Sequence, residues 1–165
     1  MNSKLSFRMA TSADIDLLRH WDNQPHVIAS DPNDDWDWAK ELKQVYIWRE
    51  QWIAEWDGQP LGFLQIIDPK REETHYWGDV EDNLKALDIW IGEANNLGKG
   101  YGTWMMLWAI QRCFEEEGAK AILLDPLESN KKAHKFYERL GFVHIENRVF
   151  DQDYCRVYRL NNPSL

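Results

Sequence analysis

Three glycines, Gly98, Gly100 and Gly102, alternate with other residues where an apolar segment changes into a predicted helix. The segment before them, residues 87–92, is typical of a buried strand, and the helix begins directly after the run. Glycine lets backbone N–H groups converge on an anion at the positive end of a helix. The run therefore suits a pyrophosphate-bearing cofactor, but it is weak evidence alone, because a tight strand-to-helix turn would also explain it.

Two common nucleotide-binding motifs do not fit this spacing. The dinucleotide fingerprint G-x-G-x-x-G stands early in a βαβ unit, whereas these glycines are spaced G-x-G-x-G and lie beyond the middle of the chain. The ATPase phosphate loop G-x-x-x-x-G-K-[ST] does not occur. The glycines alone therefore do not identify the cofactor, and the residues closer to the C-terminus must distinguish between the candidates.

A second patterned segment comes after a predicted strand at residues 121–125. It has the pattern N-x-x-A-x-x-x-Y-x-x-x-G-F, which is filled by Asn130, Ala133, Tyr137, Gly141 and Phe142. Asn130 suits a helix N-cap and Gly141 suits the position after the helix, so the segment predicts a helix between them.

The glycine run and this second segment together resemble the GNAT superfamily of acetyl-CoA-dependent N-acetyltransferases. The likeness is greatest to the aminoglycoside 6′-N-acetyltransferase group. The residues that carry this likeness are Asp88, residues 97–103, Asp125 and Asp153. Leu97 departs from the Gln or Arg usual in that group, and no aromatic pair comes closely after His26. The resemblance implies one GNAT domain over residues 1–165, with an α/β fold whose mixed, mostly antiparallel central sheet is flanked by helices.

The resemblance also implies roles for individual residues. Asp88 is expected to bind the acceptor ammonium, either as the base that removes its proton or only as a counter-charge. Tyr137 is expected to protonate the leaving thiolate, unless it is simply a packed core residue. Asn130 suits a contact with the pantetheine arm and a helix N-cap about equally. The residues expected to bind acetyl-CoA are Ile89, Trp90, Ile91, Gly98, Lys99, Gly100, Tyr101, Gly102, Thr103, Asn130, Ala133 and Tyr137.

The net charge of −9 bears on the second substrate. A strongly acidic chain disfavours nucleic acid and anionic membranes and attracts cations. Acidic residues cluster at 31–37 and 72–82, with tryptophans between them, which suits stacking on and pairing with a polyamine or amino sugar. Solvated loops are the other explanation of these clusters. The predicted acceptor-binding residues are Asp88, Asp125, Asp153, Trp36 and Trp77.

Several acceptors stay open at this point: an aminoglycoside-like cation, a lysine-type amine or siderophore precursor, and a protein N-terminus. A non-catalytic CoA-binding module is a further alternative. Nothing in the sequence places a histidine or other activating base beside Cys113 or Cys155, so direct attack in a ternary complex is favoured over an acyl-enzyme. The five histidines lack ligand spacing, which predicts no metal site. Cysteine usage and the lack of an apolar run of about 20 residues predict a cytoplasmic protein. The resemblance implies a monomer or a homodimer.

The remaining elements are predicted from periodicity and turn signals. Thr11 and Asp14 form a capping-box pattern ahead of a helix with Trp21, and Asp57-Gly58 predicts a hairpin turn. The helix after the glycine run is apolar all round and is expected to be buried and to reach residue 117. We expect strands at 5–9, 46–56, 60–67, 86–92, 121–125, 143–149 and 154–160, loops at 22–38 and 68–84, and a short helix at 38–45.

Overall fold

The computed structural model describes residues 4–165, which contain seven strands and five α-helices. The strands are β1 (Leu5–Met9), β2 (Arg49–Trp56), β3 (Gln59–Ile67), β4 (Leu84–Ile91), β5 (Ala121–Leu124), β6 (Val143–Phe150) and β7 (Asp153–Asn161). The helices are α1 (Ile15–Asp22), α2 (Pro25–Ser30), α3 (Trp38–Glu41), α4 (Tyr101–Gln111) and α5 (Lys131–Arg139).

The strands are hydrogen-bonded in the order β1-β2-β3-β4-β5-β7-β6. β4 and β5 run parallel, whereas β1–β2, β5–β7 and β6–β7 are antiparallel pairs. The predicted α/β fold with a mixed sheet is therefore confirmed.

Contacts within the chain define two compact units. The first unit runs up to Ile66 and from Asp88 to Ala109, and the second runs from Ile67 to Leu87 and from Ile110 to Leu165. β4 begins in the second unit and ends in the first. One domain over residues 1–165 stays a prediction.

Local signals set the beginning of the first unit. Thr11 and Asp14 make the predicted capping box, in which the Asp14 carboxylate accepts from the Thr11 backbone N–H at 2.8 Å. Arg8 on β1 donates twice to the same carboxylate, both times at 2.8 Å. Since Asp14 is buried, these bonds replace the water that its charge loses on folding. They fix β1 against the start of α1.

The hairpin between β2 and β3 forms at the predicted turn. Asp57 and Gly58 have φ angles of 51° and 80°, the left-handed pair that a two-residue type I′ turn requires. Side chains alternate across these strands, so Gln51 and Ile53 of β2 lie on one face, and Phe63 and Gln65 of β3 share a face as well. Ile53 and Phe63 belong to one apolar cluster with Leu18, Trp21 and Trp38.

The second unit has its own apolar cluster and the predicted C-terminal hairpin. Trp77, Leu84, Leu123, Phe150 and Val157 form most of that cluster. β6 lies at the edge of the sheet, and its register shifts between His144 and Glu146. A bulge of this kind on an edge strand disrupts the regular ladder that another strand would need for pairing.

Three predicted elements differ from the structure. The expected loop at 22–38 contains α2, since Pro25 occupies a first-turn position of a helix, where its missing N–H costs nothing. The helix expected at 38–45 ends at Glu41, and β2 begins only at Arg49. α4 is not buried all round, because Leu107 is 45% exposed. The α-helix ends at Gln111, and the chain continues as a π-helical turn over Arg112–Glu116.

Candidate active site

Asp88 lies on the part of β4 that belongs to the first unit. Strand alternation divides the residues around it between two faces. Ile89 and Ile91 pack with the cluster around Met105, whereas Trp90 packs with Trp38 and Phe63. Asp88 therefore shares its face of the strand with Trp90, next to an aromatic cluster.

The Asp88 carboxylate is closely surrounded by protein, whereas the residue as a whole is partly accessible. Burial raises its pKa from the ordinary 3.8 to about 6, because the charged form loses water. Gln65 donates to Asp88 Oδ2 at 2.9 Å, which opposes that rise, and the negative charge of Asp34 adds to it. The side chain is thus mostly ionised at neutral pH but takes up a proton readily.

An aromatic wall stands on the same side of the first unit. Trp36 stacks on Trp38 with ring centroids 4.6 Å apart, and Trp90 stacks on Phe63 at 4.5 Å. The Trp36 and Trp90 centroids are 6.4 Å apart. Trp38 is fully buried, whereas Trp36 remains partly accessible. The predicted acceptor residues Asp88 and Trp36 are therefore both found in this unit, and Trp36 presents a ring to solvent.

Two further carboxylates lie near this wall. Trp36 donates through Nε1 to Asp34 at 3.1 Å, and Trp38 donates through Nε1 to Asp22 at 2.5 Å. Burial raises the pKa of Asp22, against the Trp38 hydrogen bond, and the charge of Asp34 raises it further. Asp34 thus acts electrostatically on both Asp22 and Asp88. The sequence placed Asp34 in an acidic cluster, but nothing in it singled out Asp22.

The glycine run precedes α4 as predicted. Gly98 and Gly100 have φ angles of 71° and 84°, and a Cβ added to either would meet no atom within 4 Å. Lys99 between them is exposed, as is Thr103. The left-handed glycines and the open space beside them fit a loop whose backbone approaches an anion at the start of an eleven-residue helix. Gly102 and Tyr101 form the first turn, and the Tyr101 ring lies 4.9 Å from that of Trp56.

One contact of the first unit was not foreseen. His26 of α2 donates through Nε2 to the carbonyl of Ile91 at 2.7 Å. The bond ties α2 to the end of β4, immediately before the loop that leads to the glycines. No sequence signal predicted it, because the loop interpretation of residues 22–38 removed the helix that positions His26.

In the second unit, the structure confirms that Asn130 caps a helix. Its Oδ1 accepts from the Ala133 backbone N–H at 3.2 Å, at the start of α5. Tyr137 is partly buried on α5, with the Phe142 ring 6.0 Å and the Tyr158 ring 6.4 Å away. Contacts of Asn130, Ala133 and Tyr137 with the cofactor stay predictions.

The other predicted acceptor residues gather around Tyr76 in the second unit. Tyr76 donates through its hydroxyl to Asp125, and its ring stacks on Phe150 at 4.6 Å. Asp153 pairs with Phe150 across the hairpin. Trp77 is 5% exposed, and its ring packs in the apolar cluster of this unit. Tyr76, which sequence analysis did not select, therefore offers more accessible aromatic surface than Trp77.

Comparison with known proteins identifies the family. A sequence model of the family described as "Acetyltransferase (GNAT) domain" matches residues 10–150. The chain belongs to the GNAT acetyltransferase family. As a member of it, the protein is an N-acetyltransferase that uses acetyl-CoA. This GNAT domain has the glycine loop and the α5 segment that the sequence predicted.

Individual relatives are distant. The chain is 25% identical over 156 residues to aminoglycoside N(6′)-acetyltransferase type 1 of Klebsiella pneumoniae, covering 86% of this chain and 75% of that protein. It is 19% identical over 165 residues to the lysine N-acyltransferase MbtK of Mycobacterium tuberculosis, covering 95% and 77%. The crystal structure of aminoglycoside acetyltransferase AAC(6′)-Ib with coenzyme A matches with a TM-score of 0.83 at 21% identity, covering 95% and 94%. That similarity shows the fold.

In the part of the chain that the structure describes, no helix combines the length and the apolar character that crossing a membrane requires.

Proposed function

We propose that this GNAT domain transfers the acetyl group of acetyl-CoA to a primary amine of a cationic small molecule resembling an aminoglycoside. The amine attacks the thioester directly in a ternary complex. The observation that carries the proposal is the first unit's combination of an accessible Trp36 ring, the Asp34 carboxylate beside it, and Asp88 with a raised pKa. The name of the Klebsiella pneumoniae relative supports the same class of acceptor.

The carboxylates and the aromatic wall suit a polycation for a physical reason. Burial is the main cause of the raised pKa of Asp88, and an ammonium group near Asp34 and Asp88 offsets the smaller contribution from the charge of Asp34. The face of Trp36 attracts positive charge through its ring quadrupole. A net charge of −9 draws cations toward the protein as a whole.

We propose that Asp88 binds the ammonium of the acceptor and removes its proton. A primary amine has an ordinary pKa near that of lysine, so at neutral pH it arrives protonated and cannot attack. A carboxylate with a pKa of about 6 is mostly ionised at pH 7, and it is a stronger base than an ordinary aspartate. One proton moves from nitrogen to Asp88, directly or through water, before the new amide bond forms.

Acetyl-CoA supplies the reactive thioester and an anionic pyrophosphate. We propose that Gly98, Lys99 and Gly100 hold the pyrophosphate through backbone N–H groups, with help from the lysine charge. Backbone N–H groups of residues 89–91 are the proposed donors to the developing oxyanion. In the second unit, we propose Tyr137 as the donor of a proton to the leaving thiolate.

A lysine-type amine is the second candidate acceptor. It is favoured by the relative MbtK, a lysine N-acyltransferase that matches 95% of this chain. Such an acceptor carries a carboxylate as well as an amine. The acidic first unit therefore favours the aminoglycoside-like polycation over a zwitterion of this kind.

The test is thiol release from acetyl-CoA with kanamycin, for the wild type and for Asp34→Asn. Asp35→Asn is the matched control, because Asp35 is an exposed carboxylate of the same segment, whereas Asp34 is the charge that raises the pKa of Asp88. We expect Asp34→Asn to raise KM for kanamycin about fivefold or more, since one attractive charge is lost, and Asp35→Asn to stay within twofold of wild type. No turnover by the wild type, or equal effects of the two substitutions, contradicts the proposal.

A further inference from the structure

Three polar side chains form a continuous chain across neighbouring strands of the first unit. Gln51 of β2 donates through Nε2 to Gln65 Oε1 at 2.9 Å. Gln65 of β3 donates through Nε2 to Asp88 Oδ2, also at 2.9 Å. Gln51 is 7% and Gln65 is 2% exposed. Burying two amides is costly unless both are hydrogen-bonded, which makes this arrangement unlike ordinary apolar core packing.

The chemistry of the three groups fixes the direction of the chain. An ionised carboxylate only accepts, so Gln65 must turn its NH₂ group toward Asp88. Its carbonyl oxygen then faces Gln51, which must donate. If the Gln65 amide were reversed, its oxygen would face the Asp88 oxygen at 2.9 Å, and two acceptors would meet. If the Gln51 amide were reversed, its oxygen would face the Gln65 oxygen in the same way. Each side chain therefore holds the next one in a single orientation.

We infer that Gln65 is a positioning residue for acetyl transfer, with Gln51 as its support, and that it orients Asp88 toward the acceptor ammonium. The inference rests on the proposed role of Asp88. Gln65 occupies Oδ2, and within residues 4–165 no donor contacts Oδ1. The carboxylate is thereby held with one oxygen bound to the sheet and the other directed to the substrate.

The same hydrogen bond sets how easily Asp88 takes a proton. Gln65 of β3 contacts Asp88 directly, Gln51 of β2 acts on it through Gln65, and both side chains are uncharged. The segment before α3 contributes Asp34, which favours the protonated form of Asp88, and Asp22 of α1 lies near Asp34. Gln65 is thus the group that opposes burial and Asp34 by stabilising the ionised form. Its removal favours the protonated form.

The first part of the test measures Asp88 itself, independently of any acceptor. Carbon-13 NMR of aspartate side-chain carboxyls gives the titration midpoint of Asp88 in the intact protein, assigned through Asp88→Asn. Gln65→Met removes the donor at nearly constant volume, and we expect the midpoint to rise by about one pH unit. Gln59→Met, an exposed glutamine on the same strand, is the matched control. An unchanged midpoint in Gln65→Met overturns the inference.

The second part measures kcat/KM against pH for a productive amine. We expect the acid limb in Gln65→Met to move upward with the NMR midpoint and kcat to fall about tenfold or more. A merely structural role would lower thermal stability and leave the acid limb where it is, which also overturns the inference. Because Gln65→Met leaves the Gln51 amide unpaired, the double variant Gln51→Leu/Gln65→Met provides a protein without the orphaned donor. The shifted limb should persist in it.

These two parts separate the inference from the proposed function. If the wild type acetylates no amine, the proposed function fails, and the carboxyl titration still decides whether Gln65 controls Asp88. If the wild type turns over an amine while Gln65→Met keeps the wild-type midpoint and acid limb, the function stands and the positioning role is refuted.

Discussion

Replacing Asp88 by asparagine should make the protein more stable at neutral pH while it strongly reduces turnover. The carboxyl has a pKa of about 6 in the folded chain and 3.8 as a free group, so folding weakens its ionised form. The difference corresponds to about 3 kcal/mol at pH 7. Asparagine keeps an oxygen to accept from Gln65 and carries no charge. The variant should therefore recover up to that amount of free energy of unfolding.

The sign and the pH window are set by linkage. A carboxyl whose folded pKa is raised destabilises the folded state above its unfolded pKa, and this effect is complete above its folded pKa. The advantage of Asp88→Asn should therefore be about 3 kcal/mol at pH 7, about half of that at pH 5, and below about 1 kcal/mol at pH 4. For a chain of 165 residues the value at pH 7 corresponds to a rise in Tm of about 6–12 °C.

Urea or thermal unfolding from pH 4 to pH 8 measures the difference, with Asp35→Asn as the exposed control. Thiol release from acetyl-CoA in the same preparations should fall at least about 100-fold in Asp88→Asn, as expected for loss of a general base. A variant that is less stable than wild type by the same margin at every pH would refute the reasoning. That result would mean that ionised Asp88 does not destabilise the folded wild-type protein.

Three further outcomes are expected from the structure. Gly62→Ala should destabilise the fold by at least about 2 kcal/mol in urea unfolding, because the new Cβ would lie 2.5 Å from the backbone oxygen of Trp90; wild-type stability would contradict this close approach. Asn130→Ala should cost about 1 kcal/mol through loss of the α5 cap, and Asn130→Ser should recover most of it. Arg8→Leu should destabilise the fold most at neutral pH. Burial raises the pKa of Asp14, but its hydrogen bonds with Arg8 and the Thr11 N–H lower this pKa overall. The stabilisation from ionised Asp14 is therefore present above its unfolded pKa and is lost as the pH falls through its folded pKa. Unfolding curves that show an equal loss at pH 3 and pH 7 would refute that explanation.

The elements that sequence analysis predicted correctly are those with local causes. The left-handed Asp57-Gly58 turn, the capping box at Thr11 and the cap at Asn130 each depend on a few neighbouring residues. The glycine run likewise precedes a helix as predicted, and Gly98 and Gly100 have a left-handed backbone. Such features are encoded in spacing and residue type, so one sequence is enough to find them.

The features that sequence analysis missed depend on contacts between distant residues. Gln65 lies 23 positions from Asp88, and His26 lies 65 positions from Ile91, so neither bond leaves a local pattern. Two tryptophans that sit in similar acidic surroundings also differ, since Trp77 is buried in a core whereas Trp36 keeps an accessible face. The exposure of each tryptophan depends on tertiary packing, which the composition of the surrounding segment does not reveal.

The most direct test of the proposed acceptor class is to measure kcat/KM for amines that differ in charge. The wild-type protein would be assayed for thiol release at saturating acetyl-CoA with kanamycin, spermidine, lysine and a monoamine that carries no other charged group, each at low and at high salt. We predict that kcat/KM rises with the number of positive charges on the acceptor, and that salt reduces this preference. A monoamine or lysine that reacts as well as kanamycin at low salt would contradict this prediction.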